Sequence, residues 1–343
     1  MIRIAAQYVS LAQSARTAED LHDLLQRAIE LEHATIPPYL TAAYSLKGST
    51  NATIRDLIRN IATEEMLHMA IVANVLNAIG GRPQIDTPEF IPKYPAPLPM
   101  SVGGGLIVGL RKFSKDLVYD VFMKIEGALD PKEFPFTLKK VAAPSFATIG
   151  QFYAAIITKI EELGDDIFTG EPARQVIVDA GFPSEQLFPI TNVKTAVQAL
   201  KRVVTEGEGT PESPLDDENE PAHYYGFEQI YRGKFLVPDP EHGFAFNGDD
   251  IPFKADDVWD LPDNPKVADY AEGSAARRSV EAFNKVYSDM LRSLQRTFDG
   301  APNEIGTAIS FMTLLKRTAR TVVATPDPET GKQLGLTFEY VPA

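Results

Sequence analysis

The sequence predicts a mainly α-helical protein built on a four-helix bundle, with long insertions and a C-terminal helical extension. Two features carry that prediction. Apolar residues recur every three to four positions through several stretches, and acidic or histidine residues fall inside those apolar seams instead of opposite them. A third observation agrees: proline and glycine gather in the connections between the periodic stretches.

The first helix spans about 17–46, with Leu21, Leu25, Ala28, Leu31, Thr35 and Tyr39 on one face; Pro37 and Pro38 are expected to kink or end it. The second has Ile54, Leu57, Ile58, Ile61, Met69, Val72 and Leu76 at helical spacing and stops at Gly80 and Gly81. A turn-rich stretch, 47–51, joins the two as an antiparallel hairpin. The proline-crowded residues 82–100 and Gly103 to Gly105 predict an irregular crossover. The third helix is placed at 146–163, with Ile149, Phe152, Tyr153, Ile156 and Ile160 inward, and short helices at 117–129 and 193–204. An acidic loop, 205–221, leads to a fourth helix at about 220–231. Residues 233–265 break into turns with isolated aromatics and a short hairpin, and helices at 275–298 and 303–323 close the chain. Residues 1–232 therefore form the bundle, and 233–343 pack on it as part of one structural unit.

Composition limits what such a bundle can do. With 33 lysine and arginine residues against 47 aspartate and glutamate, the formal charge is -14, which argues against nucleic-acid or anionic-membrane partners. The absence of cysteine excludes disulfides, thiolate zinc, iron–sulfur clusters and a cysteine nucleophile. Any bound metal must sit on oxygen and nitrogen. No apolar run reaches the roughly 20 residues of a membrane span, and 1–14 lack the apolar core of a signal peptide, so a cytoplasmic protein is expected.

The residues that carry chemistry lie in the seams. Glu65 and His68 form an ExxH pair that projects from one helical face, in register with Ile54, Ile58, Ile61, Val72 and Leu76. Glu32 continues the seam of Leu21, Leu25 and Ala28. Glu220 and His223 form a second ExxH, continued by Phe227 and Ile230. Burying such groups is costly unless something pairs with them. One ExxH alone is commonly a surface pair; two, with an inward Glu32, reverse the odds. Di-iron carboxylate bundles take a glutamate from each of two helices and an ExxH from each of two others. Here Gln151 stands where the third helix should offer the remaining ligand. The expected metal set is therefore Glu32, Glu65, His68, Gln151, Glu220 and His223, holding iron as a di-iron or mono-iron site, or manganese. His33, turned about 100° from Glu32, reads as a packing residue, and Glu64 as solvent-facing.

The stretch Glu32, His33, Ala34, Thr35, Ile36, Pro37, Pro38, Tyr39, with Glu65 to His68 and His223, Tyr224, Tyr225, Gly226, Phe227, resembles the ferritin-like domain of the iminophenylpyruvate dimer synthases. Those enzymes of the violacein and rebeccamycin or staurosporine pathways oxidatively couple imines derived from indolepyruvate. The likeness runs mainly over 17–231 of this chain and implies a ferritin-like four-helix bundle with a metal site. Gln151 departs from the carboxylate that the family pattern offers in the third helix. The resulting expectation is a di-iron, or iron and manganese, oxidase or oxygenase. Its partners would be dioxygen and a small amino-acid-derived or aromatic substrate, with oxidative coupling in secondary metabolism as the reaction, in a homo-oligomer. The alternatives are a non-enzymatic metal-binding or iron-handling protein and a degenerate structural bundle.

Overall fold

The computed structural model describes residues 5–127, 149–177, 186–209 and 213–343. The first residues of the third predicted helix (146–148), the last two of the helix predicted at 117–129, and 210–212 of the acidic loop lie outside the described residues.

Helix α1 (Ala6–Ser14) leads into α2 (Ala18–Ser45), whose start is fixed by Thr17: its hydroxyl accepts from the Asp20 amide while Asp20 reaches back to the Thr17 amide. The prolines do not end α2, which runs through both to Ser45. Proline lacks the N–H that would serve the carbonyl four residues back, so Pro38 leaves the Ala34 carbonyl free. The Tyr94 hydroxyl donates to that carbonyl at 2.7 Å, inside the core. A distant side chain thus supplies one of the two donors that the prolines remove.

Helix α3 (Ala52–Ala78) returns antiparallel and packs along α2 more extensively than any other pair of elements. The crossover that follows contains a two-residue ladder, β1 (Ala96–Pro97) with β2 (Ile107–Val108). Next comes α4 (115–125), a broken helix with a π-helical turn at Val118–Phe122. Helices α5 (Ile149–Leu163) and α6 (Val193–Glu208) pair with each other, and α5 also covers α1. Asn192 caps α6 by accepting from the Thr195 amide. Helix α7 (His223–Arg232) starts three residues later than the sequence predicts and ends at Gly233, whose φ of 74° suits glycine.

The predicted short hairpin is β3 (Val237–Asp239) with β4 (Gly243–Ala245). Helices α8 (Ala275–Phe298) and α9 (Ile305–Ala324) form a second hairpin against the outer side of α2 and α3. One continuous core joins the bundle to these C-terminal helices. No helix among the described residues is long and apolar enough to cross a membrane.

Candidate metal centre

Four elements converge on a buried group of carboxylates and imidazoles. From α2 comes Glu32, 6% exposed, and from α3 come Glu65 and His68, 3% and 1% exposed. Glu126 enters at the end of α4, and His223 from the first turn of α7, both buried. Helix α7 can approach α3 this closely because residue 226 is glycine: a Cβ there would stand 3.2 Å from Ile61 Cδ1.

Each histidine faces outward with one nitrogen and inward with the other. His68 Nε2 lies 2.8 Å from Glu206 of α6, and His223 Nε2 lies 2.8 Å from Glu64. A carboxylate only accepts, so each Nε2 carries a proton and each Nδ1 turns toward the centre. His68 Nδ1 sits 3.9 Å from both Glu32 and Glu65. His223 Nδ1 sits 2.8 Å from Glu65 and 3.7 Å from Glu126. Its alignment suits neither oxygen, and this buried nitrogen has no hydrogen-bond partner. The two rings stack at 5.3 Å between centroids. Two tyrosines hold the inner carboxylates: Tyr39 donates to Glu126 and Tyr153 of α5 donates to Glu32.

The electrostatics follow from crowding like charges without water. Burial pushes the Glu32 carboxyl well above the usual range, and the neighbouring Glu65 adds to this. Glu65 is raised by burial and by Glu126. Burial alone would lower His223, but the surrounding carboxylates of Glu126, Glu64 and Glu65 outweigh it and lift the imidazole well above its ordinary value. Burial likewise opposes the charge on Glu64 and Glu206, yet each is lowered because its histidine partner favours the charged form.

Three inner carboxylates and two inward Nδ1 atoms, one of them without a hydrogen-bond partner, make a donor set of the kind that divalent iron or manganese takes. One ligand atom each from Glu65, His68 and His223 lies within 4.8 Å of the others. The residues therefore fit a metal, which Glu32, Glu65, His68, Glu126 and His223 would hold. A cavity of about 30 Å³ reaches them between Leu31, Thr35, Ile125, Ile149 and Val203.

Of the six residues expected from the sequence, Glu32, Glu65, His68 and His223 meet here. Glu220 does not. It is exposed in the turn before α7, its amide held by Asp216, and the one-face rule for ExxH fails where the backbone is not helical. Gln151 is also elsewhere: it is exposed on α5 and lines a groove with Val9 and Gln13 of α1, while Tyr153 turns inward. The carboxylate missing from the expected set is Glu126, and the sequence carried a sign of it, since Val118, Phe122 and Glu126 are spaced four apart. The same rule points to Glu206 behind Ala196, Ala199 and Val203. Glu64, expected to face solvent, instead holds His223.

The chain belongs to the ferritin-like family, whose model matches residues 25–232. It is similar to a dichlorochromopyrrolate synthase from Lentzea aerocolonigenes, at 22% identity over 94% of this chain and 36% of that protein. The chain thus spans about a third of the length of the curated relative it matches. A crystal structure of a ferritin-like protein from Caulobacter vibrioides superposes with a TM-score of 0.59 at 21% identity, covering 94% of this chain and 97% of that one. That likeness shows the shared fold.

Proposed function

We propose that this protein is a di-iron oxidase acting on a small aromatic or amino-acid-derived substrate. The observation that carries the reading is the pair of inward Nδ1 atoms among three buried carboxylates, with an outer carboxylate fixing each imidazole. Glu32 and His68 would hold one ion, Glu126 and His223 the other, and Glu65, close to both histidines, would be shared. Iron bound there supplies an electron-transfer couple able to use dioxygen.

The protein's own contribution is to hold that set in place. Tyr39 and Tyr153 fix the inner carboxylates by hydrogen bonds. Glu64 and Glu206 fix the tautomer of each histidine and raise its basicity. Leu31, Ile125, Ile149 and Val203 keep bulk water away and leave a space on the scale of two water molecules, about 10–15 Å³ each, which suits dioxygen. The likeness to dichlorochromopyrrolate synthase supports an aromatic substrate from secondary metabolism. Oxidative coupling would take one hydrogen from each of two substrate molecules, with dioxygen accepting both and leaving as hydrogen peroxide. The cytoplasm would suit a protein that must acquire ferrous iron.

Anaerobic ferrous titration, followed by dioxygen uptake with and without indolepyruvate plus ammonia, tests the reading. Two irons per chain and substrate-dependent uptake are expected. Tight iron without substrate-dependent uptake would favour an iron-handling protein, and no bound metal would leave a structural bundle.

A further inference from the structure

A second cavity lies on the other side of the α2 and α3 pair, under α8 and α9, with a volume of about 290 Å³. It is separate from the carboxylate centre. Glu65 and His68 leave α3 on one face, whereas Arg59, Thr63 and Met66 leave it on another, and on α2 the same division separates Glu32 from His33, Leu40 and Tyr44.

Three observations say what the cavity would take. Its walls are apolar, and Met66, Met69, Met290 and Met312, four of the chain's seven methionines, line it. Methionine is flexible and polarisable, so such a wall adapts to the shape of an apolar guest. Its rim is cationic in a chain of charge -14: Arg59 and Lys316 line it, and Arg55 and Arg320 stand near enough to act on the Lys316 ammonium. Against these four cations the nearby acid is Asp56, which already pairs with Arg55 at 3.7 Å and Arg59 at 3.3 Å. Lys316 makes no ion pair among the described residues. Burial and the neighbouring arginines lower its pKa, as expected for a cation short of a counter-charge. Inside, His33 is 2% exposed; its Nε2 meets the Tyr287 hydroxyl at 2.6 Å, and its Nδ1 has no partner.

We propose that this cavity binds a small amphiphilic carboxylic acid, its apolar body among the methionines and its carboxylate between Arg59 and Lys316. A cavity near the lower end of ligand-pocket volumes suits a body of roughly 10–15 heavy atoms. The inference does not depend on the metal reading, because none of the rim residues belongs to the carboxylate centre.

Decanoate, kept below its micelle concentration, is the probe, titrated calorimetrically into the full chain both metal-loaded and stripped by chelator. The expected result is one site per chain in both forms, with decan-1-ol at least tenfold weaker. The double variant Arg59→Gln, Lys316→Gln should bind decanoate about ten- to a hundredfold more weakly, the range for losing charge-assisted hydrogen bonds, with metal content unchanged. Met312→Trp should fill the cavity and abolish binding; were it not to fold, the glutamine pair decides. No decanoate binding by the parent protein, equal binding of the alcohol, or undiminished binding by the glutamine pair would each overturn the proposal.

Discussion

Glu206→Gln is the most informative change at the centre, because it leaves every inner residue in place. Glu206 Oε2 lies 2.8 Å from His68 Nε2, its other oxygen is held by Arg202, and the side chain is only 6% exposed. Glutamine keeps the shape and one acceptor oxygen but removes the charge that makes the imidazole a stronger donor to a metal. If the amide presents its NH2 to the ring, the proton must shift to Nδ1 and the inward lone pair is lost. Outer carboxylates on metal-bound histidines are worth about ten- to a hundredfold in affinity, or about 1.4–2.7 kcal/mol. The loss should fall on one ion only, since His223 has its own partner in Glu64. Anaerobic cobalt titration against a competing chelator resolves the two binding steps: one should weaken by that factor and the other stay within threefold. Equal weakening of both steps, or of neither, would refute the reasoning that each outer carboxylate serves its own histidine.

Further outcomes follow from the same geometry. Glu126→Ala should remove one ion and cost about 1–3 kcal/mol of stability, because the Tyr39 hydroxyl is left buried without its acceptor; metal analysis and urea unfolding measure the two effects. Glu65→Gln should lower metal content yet raise the melting temperature of the chelator-treated protein, since it relieves repulsion with Glu126 and Glu32. Gly170→Ala should destabilise by more than about 2 kcal/mol, because its Cβ would fall 1.8 Å from the Asn77 carbonyl oxygen at the end of α3; chemical denaturation is the check. Glu32, Glu65 and His223 all bind protons more tightly in the folded metal-free protein than when unfolded. Their contribution to its stability is therefore complete at low pH and is lost as pH rises through their raised values. Metal must displace those protons, so metal affinity should climb with pH, about tenfold per unit for each proton released; unfolding and cobalt titration between pH 6 and 8 should move in opposite directions.

The bundle and the heart of the site were legible because one rule served both: a polar residue in register with an apolar seam must face the core. It places Glu32, Glu65 and His68 in the core, and on the two short helices it points in the same way to Glu126 and Glu206. It misled at Glu220, where the chain is a turn and helical spacing has no meaning. Glu64 departs from the solvent-facing expectation for another reason. It lies off the seam of α3, but α7 closes over that flank and His223 reaches it, so the faces of one helix cannot say which neighbour covers them. The passage of α2 through Pro37 and Pro38 is equally hidden, because the donor that serves the carbonyl left free by Pro38 is Tyr94, sixty residues away in sequence from Ala34.

That same stretch of α2 shows how the fold separates its two cavities. Glu32 and His33 are adjacent, so helical geometry sends their side chains about 100° apart: Glu32 into the carboxylate centre, His33 into the methionine-lined space beyond. Each residue has one hydrogen-bond partner, Tyr153 for Glu32 and Tyr287 for His33, but each also carries a cost in the metal-free fold. Glu32 adds a buried carboxyl beside another carboxyl, and His33 adds a buried nitrogen with no partner, its pKa driven down to about 3 by burial alone. A core chosen for stability would place apolar side chains at both positions. Local conflicts of this sort are expected where binding, not folding, decides the residue, and here two of them meet at one point of the wall between the cavities. A metal would relieve the first conflict and the proposed acid would lie beside the second. On α3 the adjacent pairs Glu65 and Met66, and His68 and Met69, divide between the same two cavities, so both helices form the wall through which occupancy of one cavity would be felt in the other.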